Sequence, residues 1–149
     1  MSLDGAYEDN NIFARIIRGE LPCAKIFEDD TTLAFLDIAP QSTGHALVVS
    51  KWSRARNILE VEPRAIGEVM ATVTRVARAL RGALNPDGIH VAQFNGGDTG
   101  QSVFHLHVHV VPRWGGDANF ITIIGDSKVI PQLLRDSRRL LATEWDRQS

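Results

Sequence analysis

The stretch Gln101-Ser102-Val103-Phe104-His105-Leu106-His107-Val108-His109-Val110-Val111-Pro112 decides how this chain is organised. Histidine occupies every second position from 105 to 109, and apolar residues lie between and after the histidines. Strict alternation with β-branched residues predicts a strand from Val103 to Val111, because successive side chains of a strand point to opposite faces. We therefore expect all three imidazoles on one face of that strand.

A row of imidazoles suggests either a metal site or a nucleophilic site. Neighbouring histidines of the row lie about 6.7 Å apart and could share an ion, whereas His105 and His109, about 13 Å apart, could not bind one ion directly. A metalloenzyme that uses an adjacent pair with His90 or His45 therefore stays open. The row also places His107 between two like side chains, which suits one nucleophile flanked by groups that orient it. A merely solvated strand face would normally include Thr, Lys, Glu or Ser as well.

Composition indicates one ordinary globular domain. The chain has 149 residues, 44% of them hydrophobic and 23% charged, which is enough to bury a core. A formal charge of −2 argues against nucleic-acid binding by a general basic field. Cys23 is the single cysteine, so no internal disulfide can form. No apolar run approaches the roughly 20 residues of a membrane span, and the first residues lack the pattern of a signal peptide, so we expect a cytoplasmic protein.

Residue periodicity predicts an α+β domain built on an antiparallel sheet. Residues 1–9 are expected to be a flexible N-terminal segment, and residues 10–149 a single domain with a core at 11–114 and a C-terminal extension at 115–149. Helical spacing predicts a short N-terminal helix from Asn11, which Asn10 or Asn11 could cap and Gly19 could stop. It also predicts a long central helix opened by Pro63 and a C-terminal helix from about Lys128 to Leu141. Strands are predicted at 24–28, 32–36, 45–49 and 89–94, and the last of these should pair with the histidine strand as a hairpin.

The glycine-rich loop from Asn95 to Ser102 leads directly into the histidines. Three glycines in six residues permit positive φ angles and close approach of the backbone to a ligand. Backbone N–H groups, Ser102 and Gln101 could donate hydrogen bonds to the oxygens of a group under attack. A phosphate and a tetrahedral oxyanion would both fit, so these residues leave the electrophile open.

The stretch 105–111 fits the pattern His-φ-His-φ-His-φ-φ, where φ is hydrophobic, and in this it resembles the histidine triad (HIT) family. Four further stretches support the resemblance, which covers the chain from Asn11 to about Trp114: 11–22, 33–40, 44–49 and 95–102. Together these stretches are similar to the Hint-type branch rather than to the more distant uridylyltransferase relatives.

The resemblance implies a HIT-like fold and a metal-independent hydrolase or nucleotidyl transferase. Such an enzyme acts at the α-phosphate of purine nucleotide conjugates, for example nucleoside 5′-phosphoramidates. His107 would attack the phosphorus to give a nucleotidyl-histidine, which water then resolves. The implied partners are an AMP-like substrate or product and a second copy of the chain in a homodimer, with no nucleic acid and no membrane. Two alternatives are a purine nucleotide-binding or sensing protein with incidental turnover and a dinucleoside polyphosphate hydrolase.

The resemblance also implies roles for individual residues. His109 would bind and polarise the phosphate, with His105 and His45 in the supporting hydrogen-bond network and Ser102 donating on the leaving-group side. Asp37 matches the carboxylate that accepts the ribose hydroxyls. The remaining nucleotide-binding positions are the apolar walls of the base site and the phosphate-side loop: Phe13, Ile16, Phe35, Ile38, Asn95, Gly100 and Gln101.

Some members of this family carry a structural zinc held partly by two cysteines near the N-terminal helix. Asn11 and Ala14 occupy those positions here, and neither can replace a thiolate. We therefore predict no zinc and no other cofactor, despite the presence of His45.

Overall fold

The computed structural model describes residues 3–117, 139, 142, 143 and 145–147. The chain divides into two compact units, Met1–Gly115 and Gly116–Ser149. In the second unit the described residues from 139 onward are helical, whereas most of the predicted helix from about Lys128 to Leu141 lies outside the described residues. The expected boundaries at residues 10 and 115 stay predictions. Within the described part, no helix is both long and apolar enough to cross a lipid bilayer.

Five strands form one antiparallel sheet, in the spatial order β1-β2-β3-β5-β4. This confirms the predicted α+β class with an antiparallel sheet, a short N-terminal helix and a long central helix. The helices are α1 (Ile12–Ile17) and α2 (Pro63–Leu84). The strands are β1 (Lys25–Glu28), β2 (Thr32–Leu36), β3 (Ala46–Ser50), β4 (Gly88–Ala92) and β5 (His107–Arg113).

Local sequence signals set the ends of both helices. The Asn11 side chain accepts a hydrogen bond from the Ala14 backbone N–H at 2.9 Å, so Asn11, one of the two predicted candidates, caps α1. Helix α2 begins at Pro63, whose missing N–H costs nothing in a first turn. It ends where Asn85 adopts a left-handed conformation with φ of 49°.

Successive side chains of the strands point to opposite faces of the sheet, so each face carries its own apolar layer. The site lies on one of these faces. One face packs on α2 and buries Ala34, Val48 and Val108 with the helix residues Val69 and Val73. The other face packs on α1 and buries Leu33, Phe35, Leu47 and Val49 with Phe13. Burying each large aliphatic side chain contributes roughly 1.5–3 kcal/mol, so the two layers dominate the stability of the sheet.

The histidine strand begins four residues later than the sequence predicts. β5 starts at His107, which pairs with Val49 of β3, while Val103, Phe104 and His105 form a bend before it. The predicted start at Val103 was wrong because β3 ends one residue beyond Val49, so its ladder offers little further pairing to an extended 103–106. His107 and His109 share the face opposite α2, whereas His105 lies outside the sheet.

The N-terminal segment from residue 3 to residue 11 contacts the domain at several points. The Leu3 carbonyl accepts hydrogen bonds from Arg56 Nη1 at 3.0 Å and Asn57 Nδ2 at 2.8 Å. Asp9 forms an ion pair with Arg54, and the Tyr7 hydroxyl lies 2.7 Å from Nδ1 of His105. Composition alone, on which the expectation of flexibility rests, gave no sign of these contacts.

Candidate active site

A pocket of about 350 Å³ lies between α1 and the sheet face that carries His107 and His109. Its volume falls in the range of small-molecule sites. Apolar side chains form most of the wall, and a few polar groups converge on it. The lining residues are Ile12, Phe13, Ile16, Pro22, Cys23, Phe35, Leu36, Asp37, Ile38, Ala39, Leu47, Ser102, Val103, His107 and His109.

Eight of the thirteen predicted site residues line this pocket. They are the two strand histidines, Ser102, Asp37 and the four apolar wall residues Phe13, Ile16, Phe35 and Ile38. The other five do not line it: His45, His105, Asn95, Gly100 and Gln101. The pocket thus joins the predicted nucleophile, phosphate donor and ribose acceptor, although the predicted phosphate-side loop residues lie elsewhere.

Two of the loop residues use their amides to hold the loop itself. Gln101 is 3% exposed, its Oε1 accepts from the Gly96 N–H, and its Nε2 donates to the Arg56 carbonyl. The Asn95 Oδ1 accepts from the Ile58 N–H at 2.8 Å. The structure therefore gives both amides a loop-bracing role, and their predicted contact with a phosphate stays a prediction.

Hydrogen bonding leaves one nitrogen of His107 with a free lone pair. Nδ1 of His107 lies 2.8 Å from the carbonyl oxygen of His105. Because a carbonyl can only accept, Nδ1 carries the proton and Nε2 is the unprotonated nitrogen of the neutral ring. The Phe13 ring packs edge-on against the His107 ring, with centroids 4.8 Å apart, and restricts its rotation. His107 is therefore held as a neutral ring with one unprotonated nitrogen, the state that its predicted role as a nucleophile requires.

A second set of hydrogen bonds gives His109 the opposite arrangement. The Gln41 backbone N–H donates to Nδ1 of His45 at 3.0 Å, so the proton of neutral His45 is on Nε2. That Nε2–H donates to Nδ1 of His109 at 2.9 Å. The proton of neutral His109 is consequently on its own Nε2. His109 thus offers a hydrogen-bond donor beside the lone pair of His107, and the two ring centroids are 5.1 Å apart.

Burial keeps the imidazoles of this network neutral. It lowers the pKa of His105 to about 4 and also lowers the pKa of His107. Burial is again the main cause that lowers the pKa of His109 to about 4, with the nearby His107 and His45 adding to it. In His45 burial lowers the pKa, while the Asp37 carboxylate opposes the shift. Neutral rings can serve as nucleophile, donor and relay at pH 7.

Acidification from pH 7 to pH 4.5 is expected to reduce the free energy of unfolding, in part through His105. The unfolded chain binds a proton at this residue near pH 6.5, whereas the folded chain does so only near pH 4. The contribution is present above about pH 6.5 and is lost as the pH falls towards 4. The loss between pH 7 and pH 4.5 amounts to about 2–3 kcal/mol.

Urea unfolding of the wild type and of His105→Gln at both pH values measures the contribution of His105 to the change in the free energy of unfolding. The variant lacks the titrating ring, so its free energy of unfolding should fall less steeply with pH by that amount. Carboxylates titrate in both proteins and cancel in the comparison. Identical pH slopes in the two proteins would contradict the assignment.

Among the residues that the structure describes, Asp37, His45 and His109 could approach one metal ion, because their ligand atoms lie within 4.8 Å of one another. His45 and His109 already share the hydrogen bond described above, and the Asp37 Oδ1 accepts from the Ala39 N–H at 2.9 Å. The family's zinc positions do not fit zinc in this chain. The Asn11 side chain caps α1, and Ala14 has no ligand atom.

Sequence reasoning missed Tyr7 and several pocket residues. Tyr7 lies in a segment without periodicity, so no local signal pointed to it. Leu47 was predicted only as part of a buried strand, yet it pairs with His109 and lines the pocket. Alternation within β2 and β3 could have placed Leu47 on the same face as Phe35, because strand neighbours in register share a face.

Comparison with known proteins agrees with this geometry. The model of the HIT domain matches residues 18–116. The AP-4-A phosphorylase of Mycobacterium tuberculosis (strain ATCC 25618 / H37Rv) is 51% identical over 116 residues, covering 77% of this chain and 59% of that protein. Adenosine 5′-monophosphoramidase hnt1 of Schizosaccharomyces pombe is 38% identical over 102 residues, covering 68% and 73%.

A solved structure extends the similarity to the fold. The crystal structure of a HIT family protein from Bacillus anthracis matches with a TM-score of 0.80 and 32% identity, covering 95% of this chain and 98% of that one. The chain spans only 59% of the length of the M. tuberculosis relative. The matched domain, the sheet order and the histidine pair lead to one conclusion: this chain belongs to the HIT domain family.

Proposed function

We propose that this protein is a metal-independent hydrolase or nucleotidyl transferase that acts at the α-phosphate of purine nucleotide conjugates. The observation that carries the proposal is the opposite protonation of two neighbouring rings in the pocket. Nε2 of His107 has a lone pair, while Nε2 of His109 carries a proton. A phosphorus atom held between them would be attacked by one nitrogen while the other stabilises its oxygen.

The proposed reaction has two steps and balances without a metal. Nε2 of His107 forms a bond to the α-phosphorus as the bond from phosphorus to the leaving nitrogen breaks, and the leaving amine takes up a proton. The exposed hydroxyl of Ser102 is the proposed donor on that side. Water then forms a bond to phosphorus as the bond to Nε2 breaks. The proton that water releases balances the one taken by the amine, and the products are a nucleoside monophosphate and the free amine.

Pocket chemistry supports a nucleotide as the bound group. The apolar wall of Phe13, Ile16 and Phe35 suits a base, and the Asp37 carboxylate suits ribose hydroxyls. Ile38, which is 98% exposed, lies at the open side where a base would cover it. These roles for the pocket residues are part of the proposal.

The names of the relatives support two substrate classes. The S. pombe relative is named for adenosine 5′-monophosphoramidase activity and favours a phosphoramidate. The M. tuberculosis relative is named AP-4-A phosphorylase and favours a second candidate, cleavage of dinucleoside polyphosphates with phosphate as the acceptor. Both reactions can pass through the same adduct on His107. They differ in the leaving group and in whether water or phosphate resolves the adduct.

Adenosine 5′-phosphoramidate is expected to be converted to AMP in excess EDTA, because both steps use only protein side chains and water. The measurement is a chromatographic assay of that substrate and of diadenosine tetraphosphate, each with and without inorganic phosphate. A 2′-deoxy analogue is the matched control for Asp37 and should raise KM. Release of ADP that depends on phosphate would identify the second candidate.

Two outcomes would overturn the proposal. Tight AMP binding without turnover of any substrate would indicate a nucleotide-binding or sensing protein. Activity that EDTA removes and a divalent ion restores would indicate a metalloenzyme.

We also propose that the protein acts as a homodimer that uses α2 and the edge strand β4. Met70 on α2 and Val91 on β4 support this, since they are 41% and 48% exposed although both are apolar.

A further inference from the structure

We propose that Tyr7 is a positioning residue of the site: its hydroxyl holds one tautomer and one orientation of His105, and His105 in turn holds the nucleophile His107. The effect on turnover rests on the proposed function. The effect on His105 does not, and it can be measured in the protein without substrate.

The hydrogen bonds of His105 fix the direction of its contact with Tyr7. Nε2 of His105 lies 3.0 Å from the Ser50 carbonyl oxygen, which can only accept, so Nε2 carries the proton. Nδ1 is then the acceptor of the neutral ring. The Tyr7 hydroxyl, 2.7 Å from Nδ1, must be the donor. Both ring nitrogens are thereby used, and a flipped ring would lose both hydrogen bonds.

The anchored ring matters because residue 105 precedes the sheet. β5 begins at His107, so the carbonyl of His105 lies outside the strand ladder. The backbone hydrogen bond on its peptide group is from the Leu106 N–H to the Ala55 carbonyl at 3.0 Å. Yet this carbonyl accepts the Nδ1–H of His107 at 2.8 Å and so selects the tautomer of the nucleophile. The two hydrogen bonds of the His105 ring, to Tyr7 and to the Ser50 carbonyl, therefore help to fix the backbone at residue 105, as ladder hydrogen bonds do at His107 and His109. Tyr7 supplies one of those two hydrogen bonds.

Tyr7 is itself held in place before any ligand binds. The Arg54 guanidinium lies over its ring at 4.8 Å from the centroid, and Arg54 is paired with Asp9. The rings of Tyr7 and His105 are 5.7 Å apart. Upstream, the Leu3 carbonyl accepts from Arg56 and Asn57. The hydroxyl is thus a preorganised donor rather than a side chain that happens to lie near the site.

A second cavity beside His105 shows why the Tyr7 hydroxyl, and not only the Tyr7 ring, is needed to select the tautomer. A space of about 220 Å³ is lined by Tyr7, Arg54, Ser53 and His105, and His105 does not line the pocket that contains His107. Without the hydroxyl, water could reach Nδ1 from this space. Water can donate or accept, so it would satisfy the nitrogen without selecting one tautomer.

The first test is Tyr7→Phe, which keeps the ring and its contact with Arg54 but removes the donor. We expect kcat to fall about tenfold and KM to change less than twofold, which corresponds to one hydrogen bond. In ¹⁵N-histidine NMR of the free protein, His105 should change from one tautomer with protonated Nε2 to a mixture. The midpoint of thermal unfolding is recorded as the control for folding.

The second test needs no substitution, because Tyr7 is the only tyrosine of the chain. Biosynthetic replacement of tyrosine by fluorotyrosines alters this side chain alone in the protein and makes its hydroxyl a stronger donor. The ¹⁵N shift of the acceptor Nδ1 of His105 should move progressively with the number of fluorine atoms. In the wild type, the ¹⁵N chemical shift of Nδ1 identifies this nitrogen as the unprotonated acceptor.

The outcomes separate the two proposals. If no substrate is turned over, the proposed function fails, while the NMR result still decides the role of Tyr7. Unchanged His105 shifts in Tyr7→Phe and in the fluorotyrosine proteins would overturn the positioning role. A fall in thermal stability with one unchanged tautomer and a raised KM would likewise overturn it, since that pattern reflects structure alone.

Discussion

Replacement of His107 by alanine is expected to reduce turnover of adenosine 5′-phosphoramidate by at least about 1,000-fold. Nε2 of His107 is the lone pair that the hydrogen bond to the His105 carbonyl leaves free. The other imidazole among the described lining residues, His109, cannot substitute because its corresponding nitrogen carries the proton. Initial rates in excess EDTA measure the loss, and mass spectrometry after an alkaline quench measures the nucleotidyl adduct.

Two matched variants separate lost chemistry from lost structure. His107 is 5% exposed, so alanine leaves a cavity, whereas His107→Asn can keep an N–H donor near the position of Nδ1. The asparagine variant should retain the wild-type fold by circular dichroism and still lack activity and adduct. His90→Ala removes a histidine of β4 that does not line the pocket, and it should retain activity. An active His107→Asn enzyme would remove His107 from the mechanism.

Replacement of His109 by alanine is expected to lower kcat about 100- to 1,000-fold, the usual cost of one preorganised donor to a developing negative charge. The donor is the Nε2–H that His45 directs by donating to the other nitrogen of His109. The loss should appear mainly in kcat, because the charge on the phosphate oxygens is redistributed in the transition state. Steady-state kinetics with one substrate measures both parameters.

The matched variant His109→Gln restores a donor at nearly the same position as Nε2. It should recover part of the loss, because the side-chain amide can donate to the phosphate while the link to His45 is weakened. A glutamine variant no better than alanine would contradict the donor role. The same result would indicate that His109 acts mainly by packing against Phe94, whose ring centroid is 5.2 Å from its own.

The fold was predictable because its signals are local. The cap at Asn11, the proline that opens α2 and the left-handed Asn85 each act within a few residues. Alternation in β2 and β3 decides which side chains face each apolar layer. The start of β5 was not predictable in this way. Alternation continues through His105, but a strand needs a partner, and the paired part of β3 ends near Val49.

In the candidate site, too, the sequence indicated some residues of the pocket, whereas the contacts of others depended on the tertiary structure. The residue types of the histidine row, Asp37 and the apolar walls could be recognised from spacing and from the family resemblance. The loop residues Gln101 and Asn95 were expected to face the phosphate, and the structure shows them bracing the loop. An amide can donate and accept in any direction, so its sequence position does not say what it contacts.

The sequence by itself determined the period of the strands, the ends of the helices and the presence of neutral nucleophilic side chains in one short segment. The tertiary structure alone decided which nitrogen of each ring carries the proton. The partners that decide it are far away along the chain: 98 residues separate Tyr7 from His105, and 64 separate His45 from His109. A tautomer depends on the hydrogen-bond partner that folding brings to each nitrogen, and no local pattern encodes that partner.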